Sequence, residues 1–296
     1  MKNFSAIIAL AFLLLLSTAF ADDVSIDQLK QTMIKSADEV ASYDYSRMAE
    51  CDIVYRNESL QDIFEAAKAT DGKVNLTAKS GWWSHQLKDT GTGEVLLWQG
   101  YLINGTEYWK EGDNWTQFIL NDSQAVLDDY NDLPGQVELL NYSDITITGS
   151  EEIDGEDCYR LTAEPIVLIQ KAILGTQIFA SYLASPFPLP DELDVADFNF
   201  ENTSIIENSD VSVTAWVSKN DSLLKRIKID SSLTLDPAIL NIAEQNFTIQ
   251  SILHETTDYT DLDQSVQIEL PSEAYNSSYR MQGADWRWAV FGLVEP

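Results

Sequence analysis

The sequence predicts an α+β fold: a single curved antiparallel sheet with helices on one face. Apolar and polar residues alternate along most of the chain, the pattern of strands with one buried face. Tight-turn residues punctuate that alternation, notably Asn104-Gly105 and Asp154-Gly155. Helical spacing replaces it in a leading stretch and in an apolar stretch inserted midway. Strands in series through short turns pair antiparallel, and helices set among them must bury their apolar side against the sheet.

The elements follow in chain order. Lys2 precedes the apolar run AIIALAFLLLL and the cleavage signature Ala19-Phe20-Ala21, so residues 1–21 read as a secretory signal peptide cut near Ala21. That apolar run is shorter than the roughly 20 residues a membrane span needs. In SIDQLKQTMIKSADEVASY, Ile26, Leu29, Met33, Ala37 and Val40 recur on one helical face behind a Ser25/Gln28 capping box. Tyr45 to Tyr55 reads as a strand. Leu60, Ile63, Phe64 and Ala67 fit a short helix as well as a strand, and VNLTAKS after Gly72 is strand-like.

VLLWQGYLI, TEYWK and NWTQFIL, joined at Asn104-Gly105 and Glu111-Gly112-Asp113, form a three-strand meander, because Asn-Gly supplies the positive φ angles of a tight hairpin. DITITGSEEIDGEDCYRLTAEP is a second hairpin. VSVTAWVSKNDSLLKRIKID is a third, with Val211, Val213, Ala215 and Val217 on one face. NFTIQSILHET and SVQIELP supply two more strands. IVLIQKAILGTQIFASYLASPFPLP is an apolar helix with a Pro-rich stop. No linker or repeat divides the chain, so residues 22–279 form one domain, followed by an aromatic tail over 280–296 with Trp286, Trp288 and Phe291.

Composition indicates the compartment. After Ala21 the chain has 14 asparagines, and 10 of them open an N-x-S/T sequon: Asn57, Asn75, Asn104, Asn114, Asn121, Asn141, Asn202, Asn220, Asn246 and Asn276. Chance placement gives about 2 such acceptors. The chain therefore reads as an extracellular or cell-surface glycoprotein. Its net charge of −30 repels nucleic acid and anionic headgroups, which excludes a nucleic-acid partner. High acidity with few bases and dense sequons points to an archaeal cell surface. Cys51 and Cys158 suit one disulfide in an oxidising space, with two free buried thiols as the alternative.

The order of these pieces resembles the LolA-like lipoprotein carriers and the related LppX and LprG lipoproteins. The leading helix, GKVNLTAKS, YLINGTEYWKEGDNWTQ, GSEEIDGEDCYRLTAEP, VTAWVSKNDSLLKRIKID and YTDLDQSVQIELPSEA carry the resemblance over most of residues 25–275. The resemblance implies a half-barrel whose apolar concave face, covered by helices, holds acyl chains. The chain lacks the family's lipidation cysteine. In this frame Ile166, Ile169 and Ile173 of the inserted helix belong to the ligand cover. Trp82, Trp98, Tyr101, Trp115 and Trp216 are candidates for cavity lining, with ordinary packing on a sheet as the alternative for each.

No catalytic motif stands out. Neither His85 nor His254 has a serine or cysteine nucleophile in a recognisable context, and neither lies in metal-ligand spacing. The acidic stretches at 191–202 and 258–263 lack the Gly and Glu of an EF-hand loop and read as solvated. The expectation is a non-enzyme without metal or cofactor that is not an integral membrane protein and binds a lipid or other hydrophobic small molecule. The alternative is a structural or interaction glycoprotein whose barrel is filled by its own side chains.

Overall fold

The computed structural model describes residues 24–58, 61–120, 122–184, 203–235, 246–264, 266–276 and 279–282. The expected signal peptide, Asn121, Asn202, the Pro-rich stop after the inserted helix and Trp286, Trp288 and Phe291 of the tail lie outside the described residues.

The chain runs α1 (Ile26–Glu39), β1 (Ser42–Asn57), β2 (Gln61–Asn75), β3 (Ser80–Asp89), β4 (Val95–Ile103), β5 (Thr106–Glu111), β6 (Asn114–Ile119), α2 (Ser123–Tyr130), α3 (Asp132–Asn141), β7 (Ser143–Ile153), β8 (Glu156–Pro165), α4 (Val167–Ala184), α5 (Thr203–Glu207), β9 (Ser209–Ser218), β10 (Leu224–Leu235), β11 (Phe247–Thr260) and β12 (Tyr279–Gln282). The strands form one open sheet in the order β12-β6-β5-β4-β3-β2-β1-β11-β10-β9-β8-β7. Every neighbouring pair is antiparallel except β12 on β6, which is parallel. This is the expected curved sheet with helices on one face.

The turns explain the ladder. Asn104 and Gly105 have φ of 50° and 74°, and Asp154 and Gly155 have 51° and 83°, the paired positive angles of a tight hairpin. Several local expectations are corrected. The choice left open between helix and strand around Ile63 and Phe64 is decided for strand, because β2 (residues 61–75) pairs along its length with β1 and over most of it with β3. The strand in VNLTAKS stops at Asn75, and a turn with Lys79 at φ 49° leads into β3. SVQIELP is not a strand: residues 266–271 cross the outer face, where the Asn75 amide donates to Val266 O at 2.9 Å. Ser25 occupies the N-cap of α1 without a side-chain cap bond, so the capping box is not made. β12 carries the sheet to Gln282, past the domain limit expected at 279.

The expected disulfide is also absent: Cys51 and Cys158 are both free thiols. Cys51 on β1 is opposite Leu253, Leu253 opposite Ser231, and Ser231 opposite Val211 on β9. Cys158 on β8 is instead opposite Ser218, at the other end of β9. Four strand steps of about 4.8 Å, plus the shift along β9, exceed the roughly 4.4–6.8 Å between Cα atoms that a disulfide bridges. Cys158 packs with Ile153 and Trp216 in a cluster of its own.

Register divides the sheet into an inner, helix-covered face and an outer face. One inner row runs Ile147, Leu161, Ala215, Ile227, Thr257, Arg47, Thr70, His85, Trp98. The row two residues away runs Tyr259, Tyr45, Gly72, Trp83, Gly100, Trp109. Its large and small residues alternate for a steric reason. A Cβ at Gly72 would meet the Tyr45 ring, and one at Gly100 would meet the Trp83 indole. Leu29, Met33 and Ala37 of α1, Val126 and Leu127 of α2, and Leu133, Val137 and Leu140 of α3 close over this row. Trp83 stacks on Tyr130 at 3.6 Å between centroids, tilted by 12°.

Candidate functional site

The inserted helix α4 covers the remaining inner face, and its start and its middle behave differently. At its middle Leu174 and Gln177 are fully buried. The Gln177 amide donates to Ser251 Oγ at 3.0 Å on β11 and accepts from Ser231 Oγ at 2.8 Å on β10. A buried amide costs stability unless both its groups are bonded, so these two serines fix α4 against the sheet. Toward the N-terminal end, Ile166, Leu168, Ile169, Ala172 and Ile173 line a pocket of about 710 Å³, with Ile169 and Ile173 also packed against the main core. Its other wall is α3 and the turn after it, with Gln136, Leu139 and Tyr142, and its floor is Arg47, Ile229, Leu253 and Glu255 of the sheet. At the rim Tyr142, Ile166, Val167 and Leu168 are exposed, Leu168 at 70%.

The floor has one polar end. Arg47 forms ion pairs with Asp132 at the start of α3 and, through Nε, with Glu255 Oε1 at 3.5 Å, and Nε also donates to Thr257 Oγ1 at 3.1 Å. Tyr259 donates to Asp132 Oδ2 at 2.6 Å, and Tyr43 donates to Asn131 Oδ1 at 3.0 Å while accepting from the Leu133 N–H at 3.3 Å. These bonds seat the first turn of α3 over β1 and β11. Burial opposes the charge of Arg47, but Asp132 and Glu255 outweigh it and raise its pKa. Burial raises the Glu255 carboxyl, with Arg47 opposing. Burial also pushes His85 down to about 3, helped by the positive charges of Lys68 and Arg47, so it is a neutral imidazole beside Thr70 Oγ1 at 3.0 Å.

The sequence-predicted site residues divide three ways. Ile166, Ile169 and Ile173 line the pocket together. Trp98 is on the inner face, 5.2 Å from the His85 ring, but outside the pocket wall. Trp82, Tyr101, Trp115 and Trp216 are on the outer face, away from this pocket, where Trp115 borders a smaller hollow with Lys110 and Pro271. The first three form an aromatic ladder at 6.5 and 5.8 Å, and Trp216 donates to Glu151 Oε2 at 2.8 Å. Alternation separates Trp82 from Trp83 but does not say which faces inward; the glycines opposite Trp83 do. Sequence reasoning missed the floor and the α3 wall. Arg47 and Glu255 carried a signal, since they are charged residues in the same alternation phase as Tyr43, Tyr45 and Tyr259.

Among the described residues no group of three His, Cys, Asp or Glu side chains is placed to hold a metal ion. Nor is any helix among them long and apolar enough to cross a membrane.

An open antiparallel sheet with an apolar pocket between its inner face and a helical cover defines a class: a trough whose covered part has room for a ligand. No family model matches the chain, and no curated protein matches it. Among solved structures it is similar to LprF from Mycobacterium bovis, at 16% identity over 83% of this chain and 96% of that one, with a TM-score of 0.41. It is also similar to the Mycobacterium tuberculosis lipoprotein LppX, at 11% identity over 84% and 100% of the two chains and a TM-score of 0.38. A LolA superfamily protein from Nitrosomonas europaea matches at 11% identity over 86% and 98%, with a TM-score of 0.21. With TM-scores under 0.5, the functional reading rests on this chain's own geometry.

Proposed function

We propose that the chain is an exported, non-catalytic glycoprotein of an archaeal cell surface that holds the hydrocarbon part of a lipid or other hydrophobic small molecule beneath α4. The observation that carries this reading is the pocket of about 710 Å³ walled by Leu139, Ile169 and Ile173 and floored by Ile229 and Leu253. Sites for small molecules have volumes of roughly 300–1,000 Å³ and mostly apolar walls. Burying a ligand there removes apolar surface from water on both sides, at about 25 cal/mol per Å². The pocket favours this reading over a barrel filled by its own side chains.

The export part of the reading is supported by the A-x-A signature and by sequon exposure. Asn57, Asn104, Asn114, Asn220 and Asn246 are exposed. Asn75 and Asn141 are half-buried, and the Asn75 side chain is bonded on both sides, to Val266 O and to the Ala78 N–H. Asn75 is therefore the poorest glycan acceptor of these seven.

Native mass spectrometry of protein purified from its own organism tests the proposal. The expected result is a bound mass in the lipid range that leaves on denaturation, with glycans on the exposed sequons. A chain with no adduct and no saturable uptake of the uncharged dye Nile red would overturn it.

A further inference from the structure

Resting on that reading, we infer that the pocket selects an amphiphile with an uncharged hydrogen-bonding head, such as a long-chain alcohol or an acylglycerol, over a fatty-acid anion or an alkylammonium cation. The polar end of the floor carries this selectivity. Arg47 and Glu255 are the charged groups that the sheet presents to the pocket. Asp132 sits above Arg47, and Lys68 shares the row of Glu255, on the other side of Ala49, close enough for the two charges to act on each other. Two positive and two negative charges therefore face one another and cancel. His85, beside Thr70, is neutral, and Tyr43, Tyr45 and Tyr259 add only hydroxyls. Glu138, the remaining carboxylate of the lining, is exposed at the solvent side, where water and salt screen it.

Burial lowers the Lys68 ammonium and raises the Glu255 carboxyl. Lys68 keeps contact with solvent, which weakens its own shift. Both shifts reduce charge, so the sum stays near zero. A charged head brought to this end would be desolvated without a net opposite charge to receive it, which is costly. A hydroxyl meets no such cost. Guanidinium carries five N–H donors, so Arg47 can give one to the ligand oxygen, while the ligand O–H is donated to Glu255. The hydrocarbon part then extends along Ile229, Leu253, Ile169 and Ile173.

Displacement of Nile red by dodecanol, dodecanoate and dodecylammonium at neutral pH, below their aggregation limits, tests this. Wild-type protein should rank dodecanol first by about tenfold or more. Glu255→Gln leaves a net positive end and should bring dodecanoate level with or ahead of dodecanol. Lys68→Met, at a solvent-exposed position, should shift the ranking toward dodecylammonium. Dodecanoate equal to or better than dodecanol on wild-type protein would overturn the inference and leave the hydrocarbon pocket standing. Failure of Nile red and of all three compounds to bind would overturn the pocket itself.

Discussion

One sheet face is closed in two ways. Under α1, α2 and α3 the inner row Tyr259, Tyr45, Trp83 and Trp109 is packed solid, with Gly72 and Gly100 giving the rings room to lie across neighbouring strands. Under α4 the inner residues are smaller and more polar, including Ala49, Cys51, Ser231 and Ser251. There Leu174 and Gln177 are buried against the sheet, and Ile173 and Ile169, about one and two turns nearer the start of the helix than Gln177, border the pocket. The difference teaches that being apolar and facing inward does not make a site. How the cover is anchored decides between core and cavity, and here the buried Gln177 anchors α4 while the polar seat of Asp132 anchors α3, with the pocket between them.

Breaking the solid half should have the largest effect. Trp83→Ala removes a fully buried indole and its stack on Tyr130, and is expected to cost about 3–5 kcal/mol in urea unfolding. Nile red affinity of the folded fraction should stay at the wild-type value. A variant that loses dye binding while remaining folded would show that the two halves are one unit.

Gly100→Ala and Gly72→Ala come next, at about 1–3 kcal/mol each, because the new methyl must displace the Trp83 or Tyr45 ring. Gly149→Ala, with nothing within 4 Å of the new methyl, is the control and should change stability by less than about 0.5 kcal/mol. Equal effects at all three would refute the steric reading of the aromatic row.

Between the two halves lies His85, whose pKa falls from 6.5 to about 3 on folding. The unfolded chain binds this proton more readily, so the contribution of His85 is fully present above 6.5 and is lost as pH falls toward 3. Glu255 works in the opposite sense, since a raised folded pKa favours the folded state as acid is added. Replacing His85 with Asn should flatten the acid side of the stability profile by on the order of 1–3 kcal/mol, after allowance for partial exposure. An unchanged profile in unfolding titrations would remove His85 from the account.

The smallest effect expected is none. With Cys51 and Cys158 on distant parts of the sheet, a reducing agent should leave the unfolding midpoint unmoved, and the unreduced, unfolded protein should take up an alkylating label at both thiols. Labelling of neither would restore the disulfide.

Much of the sheet was legible in the sequence, since Asn-Gly and Asp-Gly at Asn104 and Asp154 dictate hairpins that alternation then extends. The ambiguous stretch around Ile63 and Phe64 was decided by pairing with β1 and β3, a non-local cause. Helices α2 and α3 were not read from the sequence; Pro134 stands in the first turn of α3, where proline is tolerated because its missing N–H has no partner there. SVQIELP alternates like a strand but crosses the outer face instead of pairing with an edge. Of the site, the α4 isoleucines were legible because few other stretches are so apolar. The aromatics were misplaced where face could not be told without register, and the α3 wall was out of reach once α3 was missed.

Nile red titration of Ile173→Trp, run beside its urea unfolding curve, tests the central claim that an open apolar pocket lies between α3, the start of α4 and the sheet. An indole in that space should weaken dye binding by about tenfold or more and leave stability within about 1 kcal/mol of wild type. Wild-type dye affinity in a stable Ile173→Trp protein would contradict the claim, as would a stability loss of about 1–3 kcal/mol, the cost of overpacking a solid core.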